Sequence, residues 1–276
     1  MLSRCACFLT TREGVVMLKG RIAVVTGASA GIGEAITREL VAQNAPVVMN
    51  ARRADRLEGL RAELGAEDVC FVAGDAADPA IITQLLDRAR ETFGGGTHDA
   101  DLVVVNAGRG LKGSVLDSDP AQWESLFRTN VIAAAHLMRQ AAARLTADRS
   151  TVTQDGPWLK QPRDIIVIGS VVGRHLSPFS SMYGSTKFAL HSLVEATRRE
   201  LAPKGVRVSL VEPAFVKSEF QSVAGYDPKW FDGVQERIGP VLEPADVARL
   251  VTHIASLPAR VHLGDVLLRP TRQDYP

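Results

Sequence analysis

A phenol and an ammonium stand four residues apart in Tyr183-Gly184-Ser185-Thr186-Lys187, a spacing that puts both on one face of a helix. A free phenol, with a pKa of about 10, is too weak an acid for efficient proton transfer near neutrality. A neighbouring ammonium favours the phenolate and lowers that value, so the pair suits giving a proton to, or taking one from, a carbonyl or alcohol oxygen. Ser170 closes a short apolar run over residues 164–169; at the end of a strand its hydroxyl could donate to the same oxygen. Asn130, in Arg128-Thr129-Asn130-Val131, interrupts a long helical stretch. Asn is a poor helix former, so its presence there invites a reason. Taken alone, the Tyr-x-x-x-Lys spacing is common by chance and equally describes an exposed helix face.

A second chemistry lies near the start of the chain. Thr26-Gly27-Ala28-Ser29-Ala30-Gly31-Ile32-Gly33 joins an apolar run to an amphipathic one. Gly27 can take a backbone shape closed to other residues, Gly31 lets the backbone approach a pyrophosphate, and Gly33 allows a helix to pack closely on a strand. The free N–H groups from Ile32 onward, at the positive end of a helix, suit phosphates. The spacing is G-x-x-x-G-x-G, not the G-x-G-x-x-G of many dinucleotide sites, and a glycine-rich turn can be only a turn. Its position between strand and helix favours the dinucleotide reading. The second strand then ends Val48-Met49-Asn50-Ala51-Arg52-Arg53, where an NAD site would carry a carboxylate for the ribose hydroxyls. Two guanidiniums there suit a 2′-phosphate, so the reading is NADP(H), with Arg52 the stronger ligand candidate. Asp75, followed by Ala76, could accept from the adenine amino group, and Asn106-Ala107-Gly108 bring small side chains to the same crevice.

These groups need a scaffold that gathers strand ends. Short, nearly all-apolar runs at 22–26, 46–50, 69–73, 102–106, 164–169, 207–211 and 266–268 suit parallel strands buried on both faces. Amphipathic stretches at 32–43, 53–64, 80–93, 122–145, 182–202 and 244–256 alternate with them. The alternation predicts one α/β unit, a doubly wound parallel sheet of about seven strands with helices on both faces. Ligands of such sheets bind beyond the carboxyl ends of the strands. Residues 146–163 are polar, contain Gly156, Pro157 and Pro162, and precede a strand, which predicts a long loop at the opposite edge. Residues 214–242 follow a strand and concentrate Phe215, Phe220, Tyr226, Trp230 and Phe231 in a chain that is 5% aromatic. A lid over an apolar substrate and a small satellite core both account for that cluster.

Composition narrows the function classes. The 276 residues are 46% hydrophobic and 23% charged, ordinary globular values. Lys+Arg of 32 against Asp+Glu of 31 leaves a formal charge of +1, with no bulk electrostatic case for nucleic acid or an anionic membrane. No apolar run approaches the length of a transmembrane helix. Three cysteines, Cys5, Cys7 and Cys70, cannot make a disulfide framework, which points to a reducing, cytoplasmic setting, and Cys5-Ala6-Cys7 lacks the further ligands of a metal site. Residues 1–16 are expected to be a flexible extension of a single unit over 17–276.

With the spacings set out, the sequence resembles the short-chain dehydrogenase/reductase family in its single-domain branch, over residues 17 to about 270. The resemblance is carried by the glycine turn, Asp75, Asn106-Ala107-Gly108, Asn130, Ser170 and Tyr183-x-x-x-Lys187, with thirteen positions from Ser170 to Tyr183. It implies a Rossmann-type fold and an oxidoreductase acting on CH–OH groups. Tyr183 would be general acid or base, with Ser170 orienting the substrate oxygen. Lys187 would lower the phenol's pKa and bond the nicotinamide ribose. Asn130 would hold a water of the proton relay through a helix kink, and Asn106 would support the cofactor and the central strand. It also implies a homo-oligomer, a tetramer or a dimer, with the helices around Asn130 and Tyr183 at one interface. The sequence departs from the family after the sixth strand, where Pro213-Ala214-Phe215-Val216-Lys217-Ser218 replaces the common Pro-Gly. Pro213, Ala214 and Val216 remain cofactor neighbours, and Ser218 would serve for the usual Thr. Ala30 stands where some members carry a base, leaving selectivity to Arg52, Arg53 and Ser29. Substrate contacts are expected from Ser170, Val172, Phe179, Phe215, His175 and Arg109, the last two able to grip a polar or carboxylate group; His175 is equally a solvated loop residue. The alternatives are a non-catalytic dinucleotide-binding regulator on the same fold, and a ketoacyl reductase acting on a carrier-bound substrate.

Overall fold

The computed structural model describes residues 18–149 and 152–274; the expectations for residues 1–16, Cys5 and Cys7 included, lie outside the described residues. Seven parallel strands form one sheet: β1 (Ala23–Thr26), β2 (Val47–Ala51), β3 (Val69–Ala73), β4 (Leu102–Val105), β5 (Asp164–Ile168), β6 (Arg207–Pro213) and β7 (Asp265–Leu268), in the order β3-β2-β1-β4-β5-β6-β7. The chain reverses direction across the sheet between β1 and β4, and a crevice opens there at the carboxyl ends. Period-two alternation fills two cores. Val25, Met49 and Val104 face one side with α1 (Gly31–Ala42) and α9 (Pro244–Ser256). Val24, Val48 and Val103 face the other, with α3 (Pro79–Thr92) and two long helices described below. α2 (Ala54–Leu64) closes the β2–β3 crossover.

Most elements start or stop within a residue or two of the sequence expectation, and two differ for visible reasons. The sixth strand runs on to Pro213 because Glu212 and Pro213 still pair with Leu267 and Leu268 of β7. The stretch expected as one helix over 122–145 is α4 (Trp123–Phe127), a π-helical turn (Arg128–Ile132) and α5 (Ala133–Leu145). The widened turn holds Asn130, whose side chain bonds a backbone segment 21 residues away; such π-bulges are frequent at functional sites.

The amino-terminal edge carries a buried ion network. Arg21, ahead of β1, bonds Asp101 at 2.7 Å and Asp164 at 2.8 Å. Arg207 bonds Asp164 at 2.6 Å and also donates to the carbonyls of Leu257 and Val261 beyond α9. The 146–163 segment lies at this edge, as expected. It contains a short 3₁₀ turn, Pro157–Lys160, and buried Arg149 ties it to the carbonyl of Gly205 at 2.9 Å. Replacing Asp164 with Ala strands two buried guanidiniums and is expected to cost about 3–5 kcal/mol, read as a lower urea midpoint; an unchanged midpoint would show that the network carries no stability.

Candidate active site

The first turn is shaped by contacts that leave no room for a side chain. Gly27 and Gly31 have φ of +68° and +58°, the left-handed region that favours glycine. A Cβ on Gly33 would stand 2.3 Å from the Gly27 carbonyl oxygen and 2.5 Å from Asn106 Nδ2. Asn106 Nδ2 donates to the carbonyls of Thr26 (2.9 Å) and Gly27 (3.3 Å). Thr26 Oγ1 accepts from the N–H groups of Asn106 and Ala107, each at 3.1 Å. The turn is therefore stitched to the end of β4. Helix α1 then starts at Gly31 with no side chain capping it, leaving its first N–H groups for a ligand.

A cavity of about 1030 Å³ fills the crevice, large enough for a dinucleotide and a small substrate together. Its lining takes in every candidate from the first turn (Gly27, Ser29, Ala30, Gly31 and Ile32) except Gly33, which lies behind it. Arg52, Arg53, Asp75, Ala76, Asn106, Ala107 and Gly108 line the same end, with Pro213, Ala214, Val216 and Ser218 along the far wall. The arginines divide in a way the sequence could not reveal. Arg53 bonds Ser29 Oγ at 3.1 Å and the Glu219 carboxylate at 3.0 Å. Arg52 faces the cavity with no partner among the described residues. Asp75 accepts from the Ala77 N–H at 2.9 Å and lines the cavity. Asn50, a cavity residue absent from the sequence-derived candidates, donates to the Val72 carbonyl at 2.9 Å, and its buried Oδ1 has no partner among the described residues.

Helix α6 (Ser181–Leu201) delivers Tyr183 and Lys187 one turn apart at the other end. Both are buried, and Lys187 Nζ lies 5.9 Å from the centre of the phenol ring. The ammonium donates to the Ile168 carbonyl at 3.0 Å. Burial sets both acidities. It lowers Lys187 to about 8 and pushes the Tyr183 phenol above its ordinary value, against a lowering contribution from the Ser170 hydroxyl. The ammonium is turned to the Ile168 carbonyl, and desolvation is the largest influence on the phenol. Ser170 follows β5, and its Oγ lies 3.5 Å from the Pro213 carbonyl.

Asn130 stands behind this group. Its Oδ1 accepts from the Arg109 N–H and its Nδ2 donates to the Arg109 carbonyl, both at 2.8 Å, and Nδ2 also donates to Thr186 Oγ1 at 3.0 Å. The side chain thus clamps the segment after β4 onto α6. A Cβ on Gly108 would stand 3.3 Å from Asn130 Oδ1, a tight contact, and 3.8 Å from Lys187 Nζ, an ordinary one. The Arg109 guanidinium, expected to grip a carboxylate, is folded onto Ser125 Oγ at 3.0 Å and the Gln122 side-chain carbonyl. His175 is not a free loop residue: its Nε2 meets Arg269 at 3.1 Å.

The segment after β6 divides between the two readings of its aromatics. It forms α7 (Phe220–Val223) and α8 (Pro228–Ile238). Phe231, Val234, Ile238 and Val241 make a satellite core against Phe215. Phe215, Phe220, Tyr226 and Trp230 also line the cavity, and the Phe220 ring packs 5.5 Å from that of Tyr183. Val172 packs in the same cluster, while Phe179, 68% exposed, stands at the mouth. Among the described residues no group of His, Cys, Asp and Glu is placed to hold a metal ion, and no helix is long and apolar enough to cross a membrane.

The family model for short chain dehydrogenases matches residues 21–228. Dehydrogenase/reductase SDR family member 11 of Homo sapiens is 31% identical over 277 residues, covering 95% of this chain and 98% of that protein. Among solved structures, the closed form of serine dehydrogenase complexed with NADP+ superposes with a TM-score of 0.78 at 27% identity, over 92% of this chain and 96% of that one. An alcohol dehydrogenase of the archaeon Thermococcus sibiricus, complexed with 5-hydroxy-NADP, gives 0.75 at 26% identity over 93% and 99%. A family match across most of the chain, on a seven-stranded parallel sheet whose strand ends gather these residues, makes this protein an oxidoreductase of the short-chain dehydrogenase family.

Proposed function

We propose that the protein interconverts a carbonyl and a secondary alcohol with NADP(H). The convergence of Tyr183, Ser170 and Lys187 at one end of a cavity whose other end is the glycine cradle carries this reading. The cradle and the uncapped start of α1 fit a dinucleotide, and two neighbours of known structure were solved with NADP+ or a derivative of it. The nicotinamide, when bound, supplies or accepts the hydride. The protein's own groups handle the proton. A phenol raised by burial stays protonated at neutral pH, which suits Tyr183 to protonate a carbonyl oxygen, while Ser170 orients that oxygen by hydrogen bonding. Lys187, at about 8, is mostly charged at neutral pH and favours the phenolate left behind. Asn130 holds α6 and the β4 segment in register, and a water beside it would return the proton.

Arg52, unpaired in the cavity, is the guanidinium available to a 2′-phosphate, with Ser29 and Arg53 beside it. The lid aromatics and Phe179 favour a substrate with an apolar body. Exposed Ile132 and Phe188, on the two helices the family uses for assembly, support a homo-oligomer. The sparse cysteines favour a cytoplasmic setting.

Tyr183→Phe is expected to lower turnover of any accepted ketone by about 10²–10⁴-fold while leaving NADPH binding within about threefold; retained turnover would remove the proton-transfer role. Arg52→Ala is expected to weaken NADPH by about tenfold and NADH much less, measured by calorimetry. Equal losses for both cofactors would remove Arg52 from the phosphate site.

A further inference from the structure

The geometry points to Glu219, at the root of the lid, as a determinant of dinucleotide choice that repels the 2′-phosphate; this rests on the NADP(H) reading above. Glu219 Oε2 lies 3.0 Å from an Arg53 guanidinium nitrogen, and its Oε1 lies 3.5 Å from Arg56. Arg53 is also held by Ser29, a residue of the glycine turn. One position earlier, Ser218 packs on the same turn: a Cβ on Gly31 would stand 3.3 Å from Ser218 Cβ. One position later, Phe220 packs on Tyr183. The lid root therefore lies across the phosphate end of the crevice, and its carboxylate occupies Arg53, the guanidinium next to the one, Arg52, that is open to a 2′-phosphate. Arg56, on the first turns of α2, gives Glu219 a second cationic contact.

The physical consequence is a repulsion between anions. A phosphomonoester carries a charge of about −1.5 to −2 near neutrality, and seated on Arg52 beside Arg53 it is repelled by the Glu219 carboxylate unless Glu219 gives way. NAD(H) presents only ribose hydroxyls and leaves the Glu219 pairs in place. Glu219 thus subtracts from NADP(H) affinity and leaves NAD(H) affinity nearly untouched, so the protein's preference is narrower than its two guanidiniums alone would give. All three side chains are about half exposed, so each pair is weak and easily opened.

The test is calorimetric titration of NADPH and of NADH into the full chain and its Glu219→Gln variant. Removing the charge is expected to tighten NADPH about three- to fivefold and to change NADH by less than about twofold. The selective gain should fade at about 1 M salt, where the Debye length is about 3 Å, a response that a purely structural role of Glu219 would not give. An equal change for both cofactors, or weaker NADPH binding, would overturn the assignment. The NADP(H) reading fails separately: a wild-type chain that binds NADH better than NADPH would overturn that reading, yet a selective gain for NADPH in the variant would still place Glu219 against the phosphate.

Discussion

The carboxyl edge of the sheet depends on how closely the first turn approaches the end of β4. Gly33 brings the start of α1 to where a single added carbon would sit 2.3 Å from the Gly27 oxygen, and Asn106 and Thr26 then bind the turn to the fourth strand through their side chains. With β1 and β4 adjacent and the chain running off in opposite directions from them, this contact sets the floor of the crevice. The cavity end lined by the first turn and the loop leading to Asn130 take their positions from it.

The other end is governed by burial. Tyr183 and Lys187 are both withdrawn from water, so each is pushed toward its neutral form. The site keeps a protonated phenol beside an ammonium that is easily discharged. Asn130 holds the two halves together by bonding both backbone groups of Arg109, and the helix accommodates it with one π turn. The lid reaches both ends, through Glu219 at the arginines and Phe220 at the phenol ring.

Much of this was legible in the sequence because it is local or periodic. Strands buried on both faces announce themselves as apolar runs, and Tyr183 and Lys187 share a helix face by spacing alone. The glycines of the first turn were marked by their place between strand and helix. What escaped depends on contacts between distant segments. Nothing near Arg109 in sequence says that Gln122 and Ser125 take its guanidinium. Arg53 and Arg52 look alike until Glu219, 166 residues away, occupies one of them. Burial raises the phenol, an effect that spacing cannot express. Asn130 was marked by its poor helix propensity, but the reason lay in a backbone segment 21 residues earlier.

The crevice is tested most directly by titrating NADPH into the wild-type chain and a Gly33→Ala variant, with circular dichroism confirming that both are folded. If the close approach of the first turn builds the dinucleotide seat, the extra carbon must push the turn off β4, and NADPH affinity falls by at least about tenfold, roughly 1.4 kcal/mol. A folded Gly33→Ala protein that binds NADPH as tightly as the wild type would contradict the account.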